Sequence, residues 1–176
     1  MTTIELNLAP KSDWIEMFPF GVAMGADNLR PVMIFKDKAE RRVLPVWLSH
    51  MDAGIAVSQG GSPYSSDSRI DGSPHELSWH ILSRLNIELE KCLFKKVKGH
   101  HQYVELHFKS SSDKKLPKDI QVVEARADDA IPFCLRAGCK FFATTEYIER
   151  SRILEVEMIV ARNSPSLEVN PHPYLN

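Results

Sequence analysis

At 176 residues, 43% of them hydrophobic and 26% charged, the chain has the composition of an ordinary globular protein able to bury one core, which excludes a disordered or fibrous polymer. The formal net charge of −1 excludes a chain that is basic throughout, so any nucleic-acid surface has to arise from local charge. Cys92, Cys134 and Cys139 sit in or beside apolar runs without CxxC spacing, which predicts reduced, buried thiols and a cytoplasmic location.

The opening segment MTTIELNLAPKSDWIEM carries Glu5, Asp13 and Glu16 and no long apolar stretch, so it reads as neither a secretion signal nor a membrane span, and no membrane partner is expected. WIEMFPFGVAMGA, from Trp14 to Ala26, has strand composition punctuated by Pro19 and Gly21, predicting a bent strand or strand pair. PVMIF and VLPVWL flank the charged KDKAERR, the pattern of two antiparallel strands joined by a solvated turn. Ser49 as N-cap with Asp52 three residues on predicts a capped helix that ends before Gly60-Gly61. Gly60 to Ser73 lacks periodicity and reads as a long exposed loop.

Ser73-Pro74-His75-Glu76 opens a second helix, in which Leu77, Ile81, Leu82 and Leu85 recur at helical spacing and are expected on the core. IELEKCLFKKVKGHHQYVELHFK reads as a hairpin turning near Gly99, with Val104, Leu106 and Phe108 facing one way and Tyr103, Glu105, His107 and Lys109 the other. Strand IQVVEAR, helix DDAIPFCLRAG, strand FFAT, helix TEYIERS and strand ILEVEMIVA follow. The whole predicts one α+β domain over residues 1–162, a mixed or antiparallel sheet carrying three to four helices, with a tail over 163–176. LPVWL leading into SHMDAGIAV and VVEAR leading into DDAIPFCL each place an Asp-Ala pair in a helix's first turn, which fits either an internal duplication or coincidence on similar architecture.

Three stretches, LPVWLSHMDAGIAV, HELSWHILSRLNIEL and VEARADDAIPFCLRAGCKFFATTE, together resemble the bifunctional nuclease domain family, over about residues 20–151. The resemblance implies hydrolysis of phosphodiester bonds in RNA and DNA. The chain departs from the family pattern with Glu76 and Glu124 where Asp is usual, Ala127 where Pro is usual and Asp128 where Ser is usual; the acidic residue usual in the first stretch is here Asp52.

Phosphodiester hydrolysis needs an activated nucleophile and positive charge on the transition state, supplied by divalent metals on carboxylates or by His, Lys and Arg. Asp52, His75, Glu76, Glu124, Arg126, Asp128 and Asp129 fall at predicted strand ends or helix starts, where sites are commonly assembled, and are the catalytic candidates. Each has a structural reading too. Asp52 and Glu76 suit capping boxes, Asp128 and Asp129 suit N-capping and the helix dipole, His75 suits a solvated first turn, and Arg126 either grips a phosphate or pairs with Asp129.

Between Lys91 and Lys118 eight lysines oppose Glu105 and Asp113, a balance of +6, so the rest of the chain sums to −7. Lys91, Lys95, Lys96, Lys98, Lys109, His100 and His101, with Tyr103 for stacking, form a candidate nucleic-acid surface; a solvated hairpin protected from edge pairing is the alternative. His75 and His80 are five apart and so on different helix faces, which rules out a zinc-protease pair, and Cys134 and Cys139 give no zinc signal. No phosphate-cradling glycine pattern occurs, so no organic cofactor is expected; Mg²⁺ or Mn²⁺ on the carboxylates is one expectation and a His/Arg-assisted reaction the other. The two functional readings are a nuclease acting on RNA or DNA and a non-catalytic nucleic-acid- or protein-binding regulatory module. A homodimer is expected, because an edge-rich small sheet commonly associates.

Overall fold

A computed structural model describes residues 13–24, 30–59, 74–111 and 116–153. Chain order is β1 (Trp14–Met24), β2 (Pro31–Asp37), β3 (Val43–Trp47), α1 (His50–Gln59), α2 (Pro74–Arg84), β4 (Ile87–Lys98), β5 (His101–Ser110), α3 (Lys118–Gln121), β6 (Val122–Arg126), α4 (Ala127–Ala137), β7 (Lys140–Thr144) and a helix α5 over 145–153. The strands form one seven-stranded sheet in the order β3-β2-β1-β7-β4-β5-β6. Every pairing is antiparallel except β4 with β7, so the domain is α+β with a mixed sheet.

Local chemistry explains most of these elements. β1 bends at a register shift between Pro19 and Gly21, where proline removes a ladder donor. The β4–β5 hairpin turns at Gly99, whose φ of 58° suits a residue without Cβ. Along β5 the inward phase holds buried Val104 and Leu106, while Tyr103, Glu105, His107 and Lys109 lie in the outward phase. At the end of α4, Gly138 takes φ 66°, and its N–H and that of Cys139 reach back to the carbonyls of Leu135 and Cys134.

Two expectations are corrected. Ile120 and Gln121, the start of the predicted strand IQVVEAR, belong instead to a helical turn over 118–121 after Pro117, and the strand begins at Val122. Leu77, Ile81 and Leu85 do not face the core but stand 64%, 50% and 60% exposed. Helix α2 instead docks through Trp79 and Leu82, which pack on the core, and through Glu76, whose carboxylate forks onto Arg136 of α4 with Nη2 at 2.7 Å. The ion pair and the two apolar side chains lie together on the docked face of the helix. The loop from 60 to 73, the strand predicted from Ile153 and the tail lie outside the described residues apart from Ile153 itself, which ends α5.

The sheet contains two β-β-β-α units, β1-β2-β3-α1 and β4-β5-β6-α4, each a three-stranded meander leading into a helix. β7 is inserted between them, antiparallel to β1 and parallel to β4, so the two meanders run in opposite senses, as a two-fold axis through the sheet would require. The paired Asp-Ala sites occupy matching places, with Ala53 and Ala130 both buried and α1 packed on α4. Between the units, Phe35 of β2 meets Phe94 of β4 at 5.4 Å and Phe141 of β7 at 4.9 Å, and Phe94 meets Tyr147 of α5 at 5.5 Å. Cys92, Cys134 and Cys139 are free and buried in this core.

In a flat sheet of this order, the end of β3 and the start of β5 would occupy opposite corners. Strand twist coils the sheet until they meet. Gln102 of β5, 6% exposed, closes the junction: its Nε2 donates to Pro45 O at 2.8 Å and Ser151 Oγ at 3.0 Å, and its Oε1 accepts from the Trp47 N–H at 3.2 Å. Val97 of β4 packs beside the same corner against Val32 and Trp47.

Candidate functional site

The closure leaves a cavity of about 600 Å³, lined by Arg30, Trp47, Leu48, Ser49, His50, His100, His101, Gln102, Arg126 and Asp128. Three segments supply its polar groups. The first turn of α1 presents His50 next to the Ser49 cap, whose Oγ accepts the Asp52 N–H at 3.1 Å and donates to the Asp52 carboxylate at 2.5 Å. The β4–β5 turn presents exposed His100 and His101. The end of β6 presents Arg126, whose Nε donates to Asp128 Oδ1 at 3.0 Å while Nη2 bonds Oδ2.

Asp128 thus aims the Arg126 guanidinium rather than capping α4, and its hydrogen bonds and charge push the Arg126 pKa up. With Arg30 and Arg126 against Asp128 the lining carries +1 before any of its three imidazoles is protonated. Trp47 also lines the cavity, and its indole Nε1–H is buried without an acceptor among the described residues.

A row of three side chains leads from the cavity across the sheet. Lys96, Tyr103 and Arg126 are cross-strand neighbours on β4, β5 and β6, with Lys96 Nζ 5.4 Å from the Tyr103 ring centre. Much of the expected basic surface is internally matched. Lys96 pairs with Glu124 at 2.7 Å, Lys95 with Glu105 at 3.6 Å and Lys109 with Glu88 at 3.4 Å, whereas Lys91 and Lys98 have no carboxylate partner among the described residues.

Of the candidates named from sequence, the cavity gathers Arg126, Asp128, His100 and His101. Asp52 serves the α1 cap, Glu76 holds Arg136 and lies 3.0 Å from His80 Nε2, and Glu124 holds Lys96. His75 is half-buried in the first turn of α2 and Asp129 is exposed; neither lines the cavity. Among the described residues no group of three or more His, Cys, Asp or Glu is placed to hold a metal ion.

Sequence reasoning missed Arg30, Trp47, His50 and Gln102. A signal existed for Gln102, which stands in the apolar phase of β5, two residues before Val104. His50 adjoins the predicted Ser49 cap. Nothing local marks Arg30 or Trp47.

Fold and cavity together define a single α+β domain with a cationic, histidine-bearing cleft where strands end and helices begin. The chain belongs to the bifunctional nuclease domain family, whose sequence profile matches residues 33–155. A search of curated proteins gives no match. No described helix is long and apolar enough to cross a membrane.

Proposed function

We propose that this protein is a nuclease that breaks phosphodiester bonds of RNA or DNA in the cavity where the two sheet corners meet. The observation that carries the reading is the convergence of Arg30, Arg126, His50, His100 and His101 around one cavity. A guanidinium binds non-bridging phosphate oxygens and stabilises the charge that grows on them in the transition state, and imidazoles move protons near neutral pH. Asp128 holds Arg126 in place for that role. Family membership supports the same reading.

The test is cleavage of labelled RNA and DNA oligonucleotides by wild-type protein and Arg126→Ala, each with Mg²⁺, Mn²⁺ or chelator. Loss of one charge-assisted contact predicts a fall of about 10- to 150-fold in cleavage rate. Equal rates would remove the cavity from the reaction. The row Lys96-Tyr103-Arg126 favours a second reading, a nucleic-acid-binding module without cleavage. Salt-dependent binding with no cleavage in any arm would select it.

A further inference from the structure

We infer that the cavity holds two consecutive phosphates of one strand, the scissile phosphate on Arg126 and its neighbour on Arg30. The inference rests on the nuclease reading of the same cavity. It narrows the substrate to a strand with a charged phosphate beside the bond that breaks, whether the sugar is ribose or deoxyribose.

The reason lies in how the two β-β-β-α units meet. Ser49 stands three residues before Asp52 and directly before α1, and Arg126 stands three residues before Asp129 and directly before α4, so the two hold the same place in their units. Their neighbours match as well. Tyr103 of β5 pairs with Arg126. In the first unit Val32 pairs with Trp47 and the Leu48 N–H donates to Pro31 O at 3.0 Å, which brings Arg30 beside Ser49. The cavity is lined from both places, by Arg30, Ser49 and His50 of the first unit and by Arg126 and Asp128 of the second. It is a double site, with one arginine from each unit.

The two arginines have separate work. Asp128 binds the Nε–Nη2 edge of the Arg126 guanidinium, which leaves the Nη1–Nη2 edge to clasp a phosphate, and one edge clasps one phosphate. A second phosphate in the same cavity calls for a second cation, and Arg30 supplies it. The start of α1 beside Arg30 adds the positive end of a ten-residue helix. A cavity of about 600 Å³ is of the size that takes a ligand larger than a single phosphate group. A strand held at two phosphates by cations from different units is fixed in register, so the scissile phosphate stays on Arg126 while its bond breaks.

The experiment uses the full chain and a DNA oligonucleotide with Mg²⁺, Mn²⁺ or chelator, whichever gives the fastest cleavage. In copies of the strand, one methylphosphonate, in which a methyl group replaces an anionic oxygen, stands on the 5′ or the 3′ side of a bond that the wild type cleaves. Cleavage is read bond by bond, with distant bonds as the internal control. For the wild type, cleavage beside the neutral linkage should fall by about 10- to 150-fold on one of the two sides, the size of one charge-assisted contact. Arg30→Ala should slow the unmodified strand by a similar factor and then respond to the neutral linkage by less than about 3-fold, because both changes remove the same contact. Arg30→Lys should recover part of the rate and of the response.

A wild type that cleaves beside the neutral linkage at the unmodified rate on both sides overturns the second phosphate site, without recourse to any variant, and leaves the nuclease reading standing. If Arg30→Ala is slower on every strand by one factor and the neutral linkage still slows it as it slows the wild type, the assignment to Arg30 is overturned. No cleavage of any strand overturns the nuclease reading and this inference with it.

Discussion

Replacing Gln102 with leucine keeps side-chain bulk at the sheet closure and removes all of its hydrogen bonding. In the native protein the Gln102 amide accepts from Trp47 N–H and donates to Pro45 O and Ser151 Oγ, with the side chain 6% exposed. The variant leaves a buried N–H and a buried carbonyl of β3 without partners, at about 1–3 kcal/mol each. Partial relaxation toward solvent brings the expected loss to about 2–5 kcal/mol, a melting temperature lower by roughly 10 °C in a chain of this size. Ser151→Ala breaks only one of the three bonds and should cost about 1 kcal/mol. Urea denaturation of wild type and the two variants gives the numbers. A Gln102→Leu protein within 0.5 kcal/mol of wild type would refute the closure as a stabilising contact, since a surface substitution costs about that much.

Other expectations follow from particular contacts. Asp37 accepts the backbone N–H groups of Arg42 and Arg41, and the Arg42 bond foremost holds its carboxyl below the ordinary carboxylate range. Its stabilising contribution is therefore full above that range and lost as pH falls through the lowered value, so the stability gap between wild type and Asp37→Asn should close on acidification; a gap constant with pH would count against the contact. Because Leu77, Ile81 and Leu85 are exposed, changing each to Ser in the isolated chain should alter stability by no more than about 0.5 kcal/mol per site, and losses near those of a buried leucine would show that this face is covered. The thiols of Cys134 and Cys139 are held protonated, Cys134 chiefly by burial and Cys139 chiefly by its hydrogen bond with Cys134, so a thiol reagent should modify them only after denaturation.

The parts of the fold legible in the sequence were those set by near neighbours. The two-residue alternation of β5, the Gly99 turn, the bend at Pro19 and Gly21 and the Ser49 cap all follow from chemistry within a few residues, and the structure shows each. Helix α2 was partly legible: Leu82 packs on the core as its spacing implies, while Leu77, Ile81 and Leu85 are exposed and Glu76 pairs with Arg136, a contact sixty residues away that no periodicity reports. The candidate site was half legible for a related reason. Arg126, Asp128, His100 and His101 stood out by charge and position, but their meeting with Arg30, Trp47 and His50 depends on coiling of the whole sheet and on one buried glutamine. The carboxylates stood out because helix starts and strand ends host both caps and active sites; Asp52 bonds Ser49, Glu76 bonds Arg136 and Glu124 bonds Lys96, partners that no local pattern announces.

The most direct test of the central claim, that the closure cavity is where nucleic acid reacts, is single-turnover cleavage of one RNA oligonucleotide by wild type, His50→Gln and Arg126→Ala, with the melting temperature of each protein measured alongside. The expected result is a fall of about 10-fold or more in each variant, with melting temperatures within a few degrees of wild type. Cleavage at the wild-type rate in both variants would place the reaction outside the cavity and contradict the account.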